Sequence, residues 1–187
     1  MIKNFVRLLI FFVVLFFYIH INYHLKTNDD LEIYTVDNPS KHQLDEICNL
    51  RQPVVFTYPD QTFRDCNISN IEEMYGVFDV NIRNLKKLTK KTSVSVPLKL
   101  KQAVTLFMND KEQTYITENN ENFLKESLAI NQMKYTDNFL RPPLLSKCKY
   151  DYSLGSVNTT TPLRYELNFK NYIYVPNGSI KLKLLKG

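Results

Sequence analysis

The chain has 187 residues, 44% of them apolar and 23% charged, proportions that exclude wholesale disorder and fit a folded globular chain. That length suits one ordinary domain rather than a multidomain enzyme. The formal charge of +5 is small and carried mainly by Lys, with only six Arg, which argues against nucleic acid as a partner, because such proteins concentrate charge and use Arg for bidentate contacts.

The first element is a membrane segment. Phe5 to Tyr23 reads FVRLLIFFVVLFFYIHINY, and Leu8 to Ile19 is uninterrupted apolar sequence. As a helix, this span reaches roughly 28 Å, near the ~30 Å of bilayer hydrocarbon. Arg7 is placed to snorkel to one interface, and Tyr18, His20 and Tyr23 form a polar-aromatic girdle at the other. A cleaved signal peptide needs small residues at its cut site, and His20 to Lys26 offers none. A buried globular helix normally carries a polar stripe, which Leu8 to Ile19 lacks. An uncleaved anchor is therefore favoured. Lys3, Arg7 and the α-amino group precede the core, so residues 1–4 are expected in the cytosol and the remaining chain in the lumen or outside the cell. Setting Lys3 and Arg7 aside leaves about +3 on the rest, a weak pointer to anionic partners.

Residues 24–49 are polar, with Leu31 to Val36 the only strand-like run, and are read as a stalk. Residues 50–187 are read as the domain. Arg51 to Tyr58 reads as a buried strand ended by Pro59-Asp60. Ser69 followed by Glu72 gives a helix-start pattern. Val77 to Ile82 and Thr92 to Val96 read as strands, and the basic run Arg83 to Lys91 between them as a solvated face or loop. Leu98 to Met108 is ambiguous between strand and helix. Asn119 to Ala129 reads as a short amphipathic helix with Phe123, Leu124 and Leu128 on one side. At the end, Thr161 to Leu167 and Asn171 to Val175 read as strands. Pro176-Asn177-Gly178-Ser179 is a turn, and Ile180, Leu182 and Leu184 alternate with lysines.

Asn67, Asn158 and Asn177 head N-glycosylation sequons. Cys48, Cys66 and Cys148 allow one disulfide in any of three pairings, or three free thiols. There is no C-x-x-C, no H-E-x-x-H, no G-x-S-x-G and no Gly-rich phosphate loop. A nucleophilic Cys needs a His partner, and His42, near the stalk, is the only candidate.

The run TPLRYELNFKNYIYVPNGSIKLKL, with Thr161, Pro162, Asn171, Gly178 and Lys181 in frame, resembles the cupin-like, JmjC-type 2-oxoglutarate oxygenases. Arg51 to Phe56 resembles that family's early strand. Tyr115 to Leu124, Phe139 to Pro142 and Tyr150 to Gly155 resemble a membrane-anchored cupin-like group of large DNA viruses. The resemblance spans roughly residues 50–187 and implies a mainly-β or α+β domain built as a partial double-stranded β-helix, or jelly roll. It also implies a virion or host endomembrane location.

The family's chemistry uses a His and a carboxylate two residues apart, which face the same side of a strand and hold Fe(II) together. Arg164 and Glu166 occupy those positions, and no His follows His42. Arginine has no free lone pair, so it cannot ligate iron. The expected protein therefore has no catalytic residue, no metal ligand and no cofactor. Fe(II) and 2-oxoglutarate belong only to the alternative of an oxygenase-like fragment. Arg164 and Glu166, about 7 Å apart along one strand face, are expected to form an ion pair. Alternatively, with Asn171 and Lys181, they line a small-ligand pocket. The jelly roll stops half built, so the domain is expected to be incomplete at its C-terminus, or a partner protein completes the sheet. The expected function is that of a single-pass membrane protein with a degenerate cupin-like structural or interaction module.

Overall fold

The computed structural model describes residues 2–21, 32–58, 66–87, 94–142, 145, 147–165 and 168–185. They form a mixed α+β structure divided into two compact units, Met1–Pro59 with Lys181–Gly187, and Asp60–Ile180.

In the first unit, α1 (Ile2–His20) is a 19-residue helix. The stretch Lys3–His20 has a mean hydropathy of 1.7, and none of it is buried. Phe16 stacks on His20, ring centroids 5.9 Å apart. A parallel two-stranded pair follows, β1 (Tyr34–Val36) against β2 (Val54–Phe56), with Tyr34 opposite Val54 and Val36 opposite Phe56. Parallel neighbours need a crossover, supplied here by α2 (Lys41–Asn49). Its start is a reciprocal capping box: Gln43 N–H donates to Ser40 Oγ at 3.3 Å and Ser40 N–H to Gln43 Oε1 at 2.9 Å. Leu44 is its one fully buried side chain. The polar segment read as a stalk thus carries β1 and α2.

The second unit is built on an antiparallel four-stranded sheet in the order β4-β3-β5-β6. The strands are β3 (Asp79–Asn84), β4 (Ser95–Lys99), β5 (Tyr115–Thr117) and β6 (Leu154–Gly155). Ahead of the sheet, α3 (Ile68–Tyr75) is capped by Asn67, whose Oδ1 accepts from Asn70 N at 2.8 Å. The cap is Asn67 rather than Ser69, since an Asn at that position reaches the third helical N–H directly. The ambiguous run resolves into the end of β4 and a helix, α4 (Leu100–Asn109). Leu100, Ala103, Val104 and Phe107 recur at helical spacing and are all buried. They meet Val80 and Ile82 from β3, and Phe123, Leu124 and Ala129 close the same core.

Phe123 and Leu124 belong to α5 (Glu121–Glu126), which is followed by α6 (Ala129–Met133) and α7 (Asp137–Leu140). Leu128 departs from the expected helix face. Its φ of 61° breaks the chain between α5 and α6, and its side chain is 65% exposed. Phe123 gathers an aromatic cluster, with ring centroids of Tyr152, Tyr75 and Phe78 at 5.5, 6.2 and 6.4 Å.

The C-terminal run differs most from its sequence pattern. Among the described residues from 161 onward there is no strand. Ile180, Leu182 and Leu184 are 57%, 60% and 50% exposed, so their alternation buries neither face. Alternation sets which side chains share a face, but a strand exists only where a ladder partner takes its N–H and C=O groups. The chain does bend over 176–178, where Gly178 has a φ of +82° that suits glycine. The described strands do not assemble a jelly roll.

Two polar anchors complete the sheet. Asp110, just after α4, accepts at Oδ1 from Glu112 N (3.0 Å). At Oδ2 it accepts from Thr114 N (2.7 Å), Tyr115 N (3.1 Å) and Ser156 Oγ (2.7 Å). Desolvation alone would raise its pKa, but these four donors outweigh it and hold the carboxyl at about 2. Asn120, 1% exposed, accepts from Asn81 N at 2.8 Å and donates to Thr117 Oγ1 and Tyr152 O, both at 2.7 Å.

Two outcomes follow. Asn120→Ala is expected to lower stability by about 2–4 kcal/mol, because it leaves a buried N–H and a buried carbonyl without partners; the shift in a urea midpoint measures it. The folded pKa of Asp110 lies below its unfolded value, so its contribution is present above about pH 4 and lost as pH falls towards about 2. The Tm difference between wild type and Asp110→Asn should be constant above pH 5 and shrink across that window.

Candidate functional site

The face of the sheet opposite α4 follows from strand alternation. Val80 and Ile82 face the core, so Asn81 and Arg83 face the other way. Arg83 lies opposite Ile116, and Ile116 opposite Gly155, so these three residues form a row across β3, β5 and β6. A Cβ built on Gly155 would lie 3.6 Å from Ile116 Cγ1 and 3.8 Å from Thr159 Cβ. The segment after β6 therefore passes over this row, turning at Asn158, where φ is 60°, and closing with Thr159 N donating to Ser156 O at 3.1 Å.

Glu118, two residues beyond Ile116, is the centre of charge here. Its side chain is 6% exposed and takes an arginine on each oxygen: Arg83 Nη1 on Oε1, and Arg164 Nη1 on Oε2 at 2.7 Å. The Arg83 side chain is 19% exposed and that of Arg164 50%. A carboxylate can accept both, and charge-assisted bonds offset part of the cost of desolvating it. Among the described residues, two guanidiniums against this one carboxylate leave an excess of one positive charge in the cluster. Two polar atoms of this region, Arg83 Nε and Thr159 Oγ1, are buried without a hydrogen-bond partner.

A second cluster lies beside α7. The Tyr150 hydroxyl donates to Asp137 Oδ1, and burial, together with that bond, raises its pKa above the usual tyrosine value. Burial also pushes Tyr152 up to about 12, with Cys66 contributing. Asp151, between the two, accepts from Asn119 N, Asn120 N and Tyr152 N at 2.7–2.9 Å. Tyr150, Asp137 and Asp151 are each engaged in bonds that hold the chain in place.

Of the four ligand-binding candidates, Arg164 is placed on Glu118. Glu166, its expected partner, lies outside the described residues. Asn171 and Lys181 are exposed, and they belong to different units. Arg83 and Glu118 escaped the sequence reading. Arg83 opens a Lys-rich run that reads as solvent-facing, yet it is the penultimate residue of β3 and its side chain is largely buried on the covered face of the sheet. Glu118 stands alone among polar residues, and only the β3–β5 register reveals its partner. Among the described residues Cys48, Cys66 and Cys148 form no disulfide, and no group of His, Cys, Asp and Glu is arranged to hold a metal ion. Asn67 is spent on capping α3, while Asn158 and Asn177 are exposed.

Comparison of the chain with protein-family models, curated proteins and solved structures finds no match in any of the three.

Glu118→Gln is expected to destabilise the second unit by about 3 kcal/mol or more, because it strands a largely buried guanidinium. Arg164→Gln, at a half-exposed position, should cost about 1 kcal/mol or less. Denaturant midpoints of the two variants give the ratio.

Proposed function

We propose that the chain is a single-pass membrane protein whose α1 anchors a non-catalytic α+β interaction module. The observation that carries this reading is α1 itself: 19 residues with an uninterrupted apolar core from Leu8 to Ile19, and no part of Lys3–His20 buried against protein. A helix of that length with no polar stripe finds its lowest free energy across a bilayer. Lys3 and Arg7 ahead of the apolar core favour a cytosolic N-terminus, with residues 24–187 on the lumenal or outer side. The module is read as a degenerate cupin-like domain on the strength of the Thr161 to Leu184 pattern, and a virion or endomembrane setting comes with that reading. Binding rather than catalysis is supported by the engagement of its titratable groups in structural bonds: Asp110, Asp151 and Glu118 each accept two or more donors.

The test is expression of the full chain with an epitope tag at each end. The protein should stay in the carbonate-washed membrane pellet at full length, with the C-terminal tag protected from protease in sealed vesicles and the N-terminal tag cleaved. Val13→Arg with Val14→Arg should shift most of it to the supernatant, since two central charges cost about 5–7 kcal/mol on the insertion scale. A mature N-terminus beginning beyond His20 would instead mark α1 as a cleaved signal sequence.

A further inference from the structure

We infer that the face of the sheet opposite α4 holds a small-oxyanion site between Arg83, Thr159 and Arg164. This goes beyond the membrane-anchor reading and does not depend on it. The first observation is charge. Both guanidiniums reach the same carboxylate, so they lie within the span of one more anion of similar size, and Glu118 neutralises only one of them. Close like charges favour a second counterion. The second observation is unspent donors. Arg83 Nε–H is buried with no acceptor, although its Nη1 is bonded, and the Thr159 hydroxyl is buried with none either.

The strand register places these donors on one face of the sheet. Arg83, Ile116 and Gly155 are adjacent across three strands, and Thr159 packs over Gly155. Neighbouring strands are about 4.8 Å apart, so the ends of this row are separated by roughly 10 Å, a span comparable to the length of an extended arginine side chain. A phosphate or carboxylate there would accept from Arg83 Nε, from the Thr159 hydroxyl and from the N–H groups that Arg164 does not give to Glu118. Arg164 sits at the half-exposed end of the cluster and is the entry side. Planar guanidiniums suit such groups because they present paired donors.

The experiment uses the full chain. In neutral detergent, inorganic phosphate is titrated against sodium chloride of matched ionic strength while Tm is followed. In nanodiscs, phosphatidic acid is compared with phosphatidylcholine. Two variants accompany each arm. Arg164→Gln removes the entry guanidinium. Thr159→Val removes only a hydroxyl that has no partner, so its baseline Tm should be equal to or above that of the wild type. A saturable rise in Tm of about 5 °C, with apparent affinity at least threefold weaker in both variants, supports the site. A rise with free phosphate assigns a soluble anion. A rise with phosphatidic acid alone, weakened in the same variants, assigns a lipid headgroup. No rise beyond matched chloride and phosphatidylcholine, or an undiminished affinity in either variant, overturns it.

Discussion

The second unit depends on one buried carboxamide. Asn120 stands where β3, β5 and the strand-like approach to β6 meet, and its side chain bonds to all three: Asn81 N, Thr117 Oγ1 and Tyr152 O. Its own backbone N–H is taken by Asp151. An aspartate there would lack both donors, and a leucine would leave the strand groups unsatisfied in a dry place. Hydrophobic burial is indifferent to a small sliding of strands, whereas a set of short, directional bonds is not. The apolar core supplies most of the stabilisation, and Asn120 selects the register in which that core closes.

With register fixed, the sheet has two unlike faces. Val80 and Ile82 meet Leu100, Ala103, Val104 and Phe107 on one side. Arg83 and Glu118 lie on the other, covered by the segment that brings in Thr159 and Arg164. Asp110 couples the two sides. It ends the core helix, organises the turn into β5 and reaches Ser156 at the start of the covering segment. Loosening that carboxylate therefore affects both the seating of α4 and the position of the residues around Glu118.

The legible parts of the sequence were those decided locally. The apolar run of α1, the strand at Val54 to Phe56 and the left-handed Gly178 each follow from a few neighbouring residues. The illegible parts were decided by partners. Thr161 to Leu184 has strand-like alternation but no ladder among its described residues. Arg83 heads a lysine run, and nothing near it announces Glu118, which lies 35 positions away. Arg164 illustrates the same limit from the other side: its nearest acid in sequence is Glu166, while the acid it meets is Glu118. Local pattern gives the chemistry a residue can do, and the register of distant strands decides with whom.

The cost of the Glu118 cluster bears on its purpose. Desolvating a carboxylate and a guanidinium costs several kcal/mol each, and their attraction repays this only in part. An apolar trio of the same volume would hold the covering segment at least as well, as measured replacements of buried ion clusters in other proteins show. Stability alone therefore gives weak grounds for two arginines on one acid with an unbonded Nε–H left in the interior. What the arrangement does provide, and an apolar trio cannot, is a fixed, partly dry patch of positive charge with oriented donors. Such a patch discriminates between partners by charge and shape. Glu118, on this argument, works as an internal counterion: it holds two guanidiniums close together that would otherwise repel, and leaves their remaining N–H groups for an outside acceptor.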